Sequence, residues 1–137
     1  MRKQKSILVI DDNGFIVSLI KNALRHTGLK IMGASSIMVG RSLIYKLRPD
    51  VVILDRYMPQ EDGHDLLREI RDDFHIRHIP ILMLSAENSQ KEILDSIRLG
   101  ANDYMVKPFK NGVLNRKVNR LLNTPYSPDP DDMFLVG

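Results

Sequence analysis

At 137 residues the chain has room for one hydrophobic core and not for a second folded domain. Its composition, 43% hydrophobic and 27% charged, is that of an ordinary soluble globular protein; no apolar run is long enough for a membrane span, Asp11 and Asp12 interrupt the basic start before a secretory signal can form, and the absence of Cys excludes disulfides and thiol chemistry, all of which fits the cytoplasm. The formal net charge of +3 gathers at Arg2, Lys3 and Lys5 and again at Lys107, Lys110, Arg116, Lys117 and Arg120; with no nucleic-acid-binding motif beside it, this run reads as a solvated helix face.

Taken in order, short β-rich runs alternate with longer helical ones. Ser6 to Ile10 is a continuous apolar strand of the kind buried on both faces of a parallel sheet. Phe15, Leu19, Ala23 and Leu24 then recur at helical spacing, and Gly28 supplies a stop. Lys30 to Ser35 is a weaker strand, and Met38 to Lys46 a helix ended by Pro49. Val51 to Leu54 is the clearest strand, followed by a loop from Asp55 to Gly63 that contains Pro59, Asp62 and Gly63. Leu66, Leu67, Ile70 and Phe74 mark a third helix, Ile81 to Leu84 a strand, and Ile93, Leu94 and Ile97 a fourth helix closed by Gly100. Asp103 to Val106 is a short strand, and Leu114, Val118, Leu121 and Leu122 mark the last helix. Five strand–helix alternations predict an α/β fold, a doubly wound five-stranded parallel sheet flanked by five helices, within residues 1–124. Residues 125–137 mix Pro125, Pro128 and Pro130 with Asp129, Asp131 and Asp132 and have the composition of a tail or linker, although Met133 to Val136 is apolar enough to dock.

Ligands of an open parallel sheet bind beyond the carboxyl ends of its strands, so the residues placed there carry the functional reading. They are Asp11 and Asp12 after the first strand, Asp55 after the third, Ser85 after the fourth and Lys107 after the fifth. Singly, each has a plain reading as a turn, cap or solvated residue. Together they make a chemical set. Three carboxylates brought together repel, a divalent cation relieves the repulsion, and an all-oxygen site without His or Cys suits magnesium or manganese. A carboxylate can act as nucleophile and form an acyl phosphate, while an ammonium and a hydroxyl hold the phosphoryl oxygens.

Over roughly residues 5–123 the sequence resembles the receiver domains of bacterial response regulators. The resemblance lies in Leu8-Val-Ile-Asp-Asp12, Val51 to Gly63, Ile81-Leu-Met-Leu-Ser-Ala86 and Gly100 to Phe109. It implies a flavodoxin-like strand order of 2-1-3-4-5 and a phosphoryl group taken onto Asp55 from a histidine kinase or phosphotransfer protein. It implies Mg2+ held directly by Asp12, Asp55 and the backbone carbonyl of Tyr57, and through water by Asp11. Ser85 becomes a switch hydroxyl, Lys107 the paired cation, and Tyr104 the aromatic that fills the space Ser85 leaves, altering a surface of the fourth helix, fifth strand and fifth helix that an output protein, or an output domain outside this sequence, reads. The family further implies a cis Lys107–Pro108 bond, self-catalysed phosphorylation and dephosphorylation without separate substrate turnover, and flanking roles for Tyr57 and Glu87 in water access. Val113 stands where receivers that dimerise through the last strand and helix often carry an acidic residue, which counts against that dimer. Neither nucleic acid nor membrane is an expected partner. The alternative reading is a pseudo-receiver, a phosphorylation-independent interaction module. A flavin or nucleotide binder is disfavoured by Asp11-Asp12-Asn13 where a phosphate loop would stand.

Overall fold

The computed structural model describes residues 4–123, so the predicted tail, 125–137, lies outside the described residues. The elements follow the predicted alternation: β1 (Ser6–Ile10), α1 (Gly14–Ala23), β2 (Lys30–Ala34), α2 (Ile37–Leu47), β3 (Val51–Asp55), α3 (Gly63–Asp72), β4 (Ile81–Ser85), α4 (Gln90–Arg98), β5 (Asp103–Val106) and α5 (Asn111–Asn123). The strands form one parallel sheet in the order β2-β1-β3-β4-β5.

The strand residues explain why both faces must be covered. Leu8, Ile10, Val52, Leu54, Ile81 and Met83 point to one side, where α2 and α3 close over them with Ile37, Ile44, Leu66, Leu67 and Ile70. Ile7, Val9, Val51, Ile53, Leu82 and Leu84 point to the other, under Ile20 and Leu24 of α1 and Leu114, Val118 and Leu121 of α5. Every residue of β3 is buried, so truncating one is costly: Ile53→Ala should lower unfolding free energy in urea by about 2–5 kcal/mol, the range for emptying a closed core position. A loss below about 1 kcal/mol would mean that this face collapses onto the gap.

Helix starts are set locally. The side chains of Asn13, Ser36, Asp62 and Ser89 each accept a backbone N–H in the first turn of α1, α2, α3 and α4. Gly100, at φ +116°, ends α4 in a backbone region closed to most side chains.

Three sequence expectations need correction. Of the predicted set Ala23 and Leu24 do pack on the sheet, but Phe15 is 68% and Leu19 38% exposed, because α1 turns Ile16 and Ile20 inward in their place. Phe74 lies beyond α3, which ends at Asp72; its ring is exposed and carries the Arg77 guanidinium 4.9 Å from its centroid. The basic run of α5 is not wholly a solvated face: Lys117 Nζ lies 2.8 Å from Asp103 Oδ1, and Arg120 pairs with the same carboxylate. Two cations hold Asp103 below the usual carboxylate range against its own desolvation. Among the described residues no helix is long and apolar enough to cross a membrane.

Candidate functional site

Sheet register brings the singled-out residues to one edge. Ile10 pairs with Leu54, so Asp11 stands level with Asp55; Asp55 pairs with Leu84, and Ser85 with Val106, so Ser85 and Lys107 complete the row. Asp11, Asp12 and Asp55 each offer a carboxylate oxygen within 4.8 Å of the others'. Asp11 is only 1% exposed, and its two oxygens are both engaged, one by the Asn13 amide at 2.9 Å and one by Lys107 Nζ at 2.7 Å. Asp12 is exposed. Asp55 is buried to 5% exposure, with Lys107 Nζ 3.4 Å from one oxygen and the Tyr57 amide 3.3 Å from the other.

The electrostatics show what this cluster lacks. The Asp55 carboxyl is pushed up to about 6, first by burial and then by the negative charge of Asp11, with Lys107 and the Tyr57 amide only partly opposing. One ammonium between two buried carboxylates, with a third alongside, leaves the pocket short of positive charge. A hard divalent cation fits that deficit and that oxygen-only donor set. Asp12 is the carboxylate open to solvent, and the donors on Asp55, at 3.3 and 3.4 Å, are more distant than the Lys107 and Asn13 donors on Asp11, at 2.7 and 2.9 Å.

Ser85 is fully buried, and its hydroxyl accepts the Glu87 amide at 3.1 Å. Tyr104 is also inside, 6% exposed, and its hydroxyl donates to the Glu87 carbonyl at 2.8 Å. Both switch candidates therefore hold Glu87 in the β4–α4 connection, Ser85 at the Glu87 N–H and Tyr104 at the Glu87 carbonyl. Burial holds the Tyr104 hydroxyl above its usual pKa, so it stays a donor. The Lys107–Pro108 bond is cis, as the resemblance implies.

The pairings of one group escaped the sequence reading, in which Arg56 is only a tuning position after the acceptor. Arg56, directly after Asp55, pairs with Asp62 at the start of α3 and lies 2.7 Å from Glu92 on α4. Below it the His64 Nε2 and Ser96 Oγ are 2.7 Å apart and buried. The signal for Arg56 was its place in the loop; that for Glu92 was no stronger than any exposed-looking Glu of an amphipathic helix, because 36 residues separate the two.

Comparison with known proteins agrees with this geometry. The family model of the response regulator receiver domain matches residues 7–119. The chain is similar to the chemotaxis protein CheY-3 of Vibrio cholerae, 33% identical over 122 residues that cover 88% of this chain and 94% of that protein. Among solved structures it is similar to the receiver domain of the Francisella response regulator 1452, with 30% identity, a TM-score of 0.80 and coverage of 87% and 97%. It is likewise similar to the receiver domain of the Pseudomonas aeruginosa sensor histidine kinase PA1611, with 29% identity, a TM-score of 0.80 and coverage of 89% and 100%; that structure has a magnesium ion coordinated in its active-site cleft.

Proposed function

Because the chain belongs to the response regulator receiver family, whose members are phosphorylated on aspartate, we propose that Asp55 accepts a phosphoryl group from a histidine kinase or phosphotransfer protein and thereby resets the surface around α4, β5 and α5. The observation that carries this reading is the complete acceptor set at one sheet edge: three carboxylates within 4.8 Å and a half-buried lysine bridging Asp11 and Asp55. A pseudo-receiver has no need to keep a buried carboxylate at a pKa of about 6 beside another carboxylate, an arrangement that works against folding. Residues 1–124 make up the receiver in this reading and 125–137 its tail, and the setting is cytoplasmic.

At neutral pH Asp55 is largely ionised and needs no general base. One carboxylate oxygen attacks phosphorus, the bond from phosphorus to the donor's leaving atom breaks (the imidazole nitrogen of a phosphohistidine, or the acyl oxygen of acetyl phosphate), and the leaving group carries that electron pair away. Lys107, already 3.4 Å from Asp55 Oδ2, neutralises charge on the transferred group. Magnesium, held by Asp12, Asp55 and the Tyr57 carbonyl with Asp11 behind water, would supply charge neutralisation and alignment of the phosphoryl oxygens. Ser85 would then leave the Glu87 amide for the new oxygens, and Tyr104, bonded to the Glu87 carbonyl, would follow as that residue moves. Tyr57, 52% exposed, and Glu87 flank the entrance and set water access to the acyl phosphate. A histidine-kinase partner and an output protein are the macromolecular contacts, with no role for nucleic acid.

Intact-mass measurement after incubation with acetyl phosphate tests this. One phosphoryl adduct is expected, dependent on Mg2+ and labile to base and hydroxylamine. No adduct with magnesium present would overturn the acceptor reading in favour of the pseudo-receiver. A metal titration makes the second test: amide signals near Asp12 and Asp55 should saturate at magnesium concentrations on the order of millimolar, and Asp12→Ala should weaken that response at least about tenfold. An unaltered midpoint in Asp12→Ala would remove Asp12 from the ligand set.

A further inference from the structure

The Arg56 guanidinium is held between two helices. Nη1 pairs with Asp62, the residue that caps α3, and Nε lies 2.7 Å from Glu92 Oε1 in the first turn of α4. Arg56 and Glu92 are both largely withdrawn from water, at 14% and 13% side-chain exposure, unlike the solvated Lys91–Asp95 pair of the same helix. The Arg56 guanidinium also covers the Tyr57 ring, 4.7 Å from its centroid. A second buried link runs below: His64 in the first turn of α3 bonds Ser96 of α4 at 2.7 Å, with its Nε2 3.7 Å from Glu92. Burial first and the charge of Arg56 second hold His64 below its usual pKa, so at neutral pH Arg56, not His64, supplies the positive charge opposite Glu92.

The position of the pair gives it a consequence. Tyr104 is already inside and bonded to Glu87, so sinking its ring is no longer available as the large structural change. What can still change near β4 and β5 is the seating of α4 and of the connection that leads into it. The outer side of α4 carries half-exposed Leu94 and Ile97, and its inner side is anchored by Glu92 and Ser96. The Glu92 anchor begins one residue from the acceptor carboxylate.

We infer that Arg56 is a positioning residue that ties α4 to the acceptor loop through Glu92, and that this tie sets how much of the protein holds the switched seating of α4 before any phosphoryl group arrives. The inference rests on the acceptor reading above and deepens it. A phosphoryl group on Asp55 replaces one carboxylate charge by about one and a half to two, a net gain of up to about one negative charge one residue along the chain from Arg56, and that added charge draws the guanidinium away from Glu92. Glu92 then holds α4 less firmly. By linkage, whatever loosens the tie beforehand makes the phosphorylated arrangement easier to reach.

The full chain tests this with Glu92→Gln, which preserves shape and removes the charge, and with Arg56→Lys, which keeps a charge but cannot bridge two carboxylates as a guanidinium does. Two readouts are used: hydrogen exchange of the amides of Ile93–Arg98 without ligand, and the midpoint for beryllofluoride, a phosphoryl mimic, at saturating Mg2+. In Glu92→Gln the amides should exchange at least about threefold faster, and the beryllofluoride midpoint should fall about three- to tenfold while the Mg2+ midpoint stays put. Arg56→Lys should accelerate exchange to a smaller degree, and the double variant should match Glu92→Gln, since one interaction cannot be lost twice. Unchanged exchange, or an unchanged beryllofluoride midpoint in Glu92→Gln, would refute the tie. If the unaltered chain itself gives no magnesium-dependent beryllofluoride response, the acceptor reading fails and the inference with it, a result seen without any variant.

Discussion

Asp55→Asn should take up no phosphoryl group from acetyl phosphate and magnesium under conditions that label the native chain, while folding at least as firmly. The loss of labelling is complete because an amide oxygen at that position is not a nucleophile at neutral pH, and Asp11 is more deeply buried than Asp55, with closer donors on both oxygens, Lys107 at 2.7 Å and the Asn13 amide at 2.9 Å. The stability expectation follows from the sign of the Asp55 shift. Its folded pKa is raised to about 6 by burial and by Asp11, so the charged form is disfavoured by folding and stability is lost as pH rises through the carboxylate range toward 6. Removing the charge relieves that. With a discount for partial solvent screening, the variant should be more stable at pH 7 without magnesium by up to about 1–2 kcal/mol. Urea unfolding of both proteins, run beside the mass measurement, separates lost chemistry from lost fold. An adduct that persists in Asp55→Asn would move the acceptor elsewhere; a marked destabilisation would mean that the Asp55 carboxylate is a structural partner and not a strained one. Lys107→Ala offers the contrasting case. It should leave the metal response in place and slow labelling on the order of a hundredfold, the scale for losing one preorganised positive group at a transferring centre.

Gly63→Ala should destabilise the chain by about 3 kcal/mol, and lower its melting temperature by about 10 °C, although alanine is the better helix former. Gly63 opens α3, and its amide donates to the Arg56 carbonyl at 2.9 Å. A Cβ there would press on the Asp55 carbonyl oxygen closer than real Cβ atoms come, and would lie 3.1 Å from Arg56 Cα and 3.2 Å from Arg56 O. These are main-chain atoms of the acceptor strand, which cannot turn aside as a side chain would. The helix can make room only by backing away or by displacing Asp55. Gly14→Ala is the matched control. It also opens a helix, and nothing lies within 4 Å of its added Cβ, so the substitution should be neutral or stabilising by up to about 1 kcal/mol. Scanning calorimetry of the two variants decides the matter: equal effects would mean that α3 sits on β3 less closely than it appears, and that helix propensity governs both sites.

The sequence by itself determined the strand–helix alternation and the residues at the strand ends. Buried parallel strands must be apolar throughout, as Val51 to Leu54 and Ile81 to Leu84 are, so a polar residue at their carboxyl ends stands out without any knowledge of contacts. Asp11, Asp12, Asp55, Ser85 and Lys107 were all legible for that reason, and the sheet register needed only to bring them level. Which apolar residues of a helix face inward was less legible: Phe15 and Leu19 satisfy the same spacing as Ile16 and Ile20, and only the rotation of α1 against the sheet chooses between them. The tertiary structure alone decided the pairings of charged side chains. Lys117 and Arg120 on Asp103, and Arg56 between Asp62 and Glu92, join residues from separate elements, and a charge on a helix surface has no pattern in the sequence that names its partner. Periodicity reports burial, which is a property of one element at a time. An ion pair depends on where two elements lie relative to each other, and that relation exists only after both have docked on the sheet.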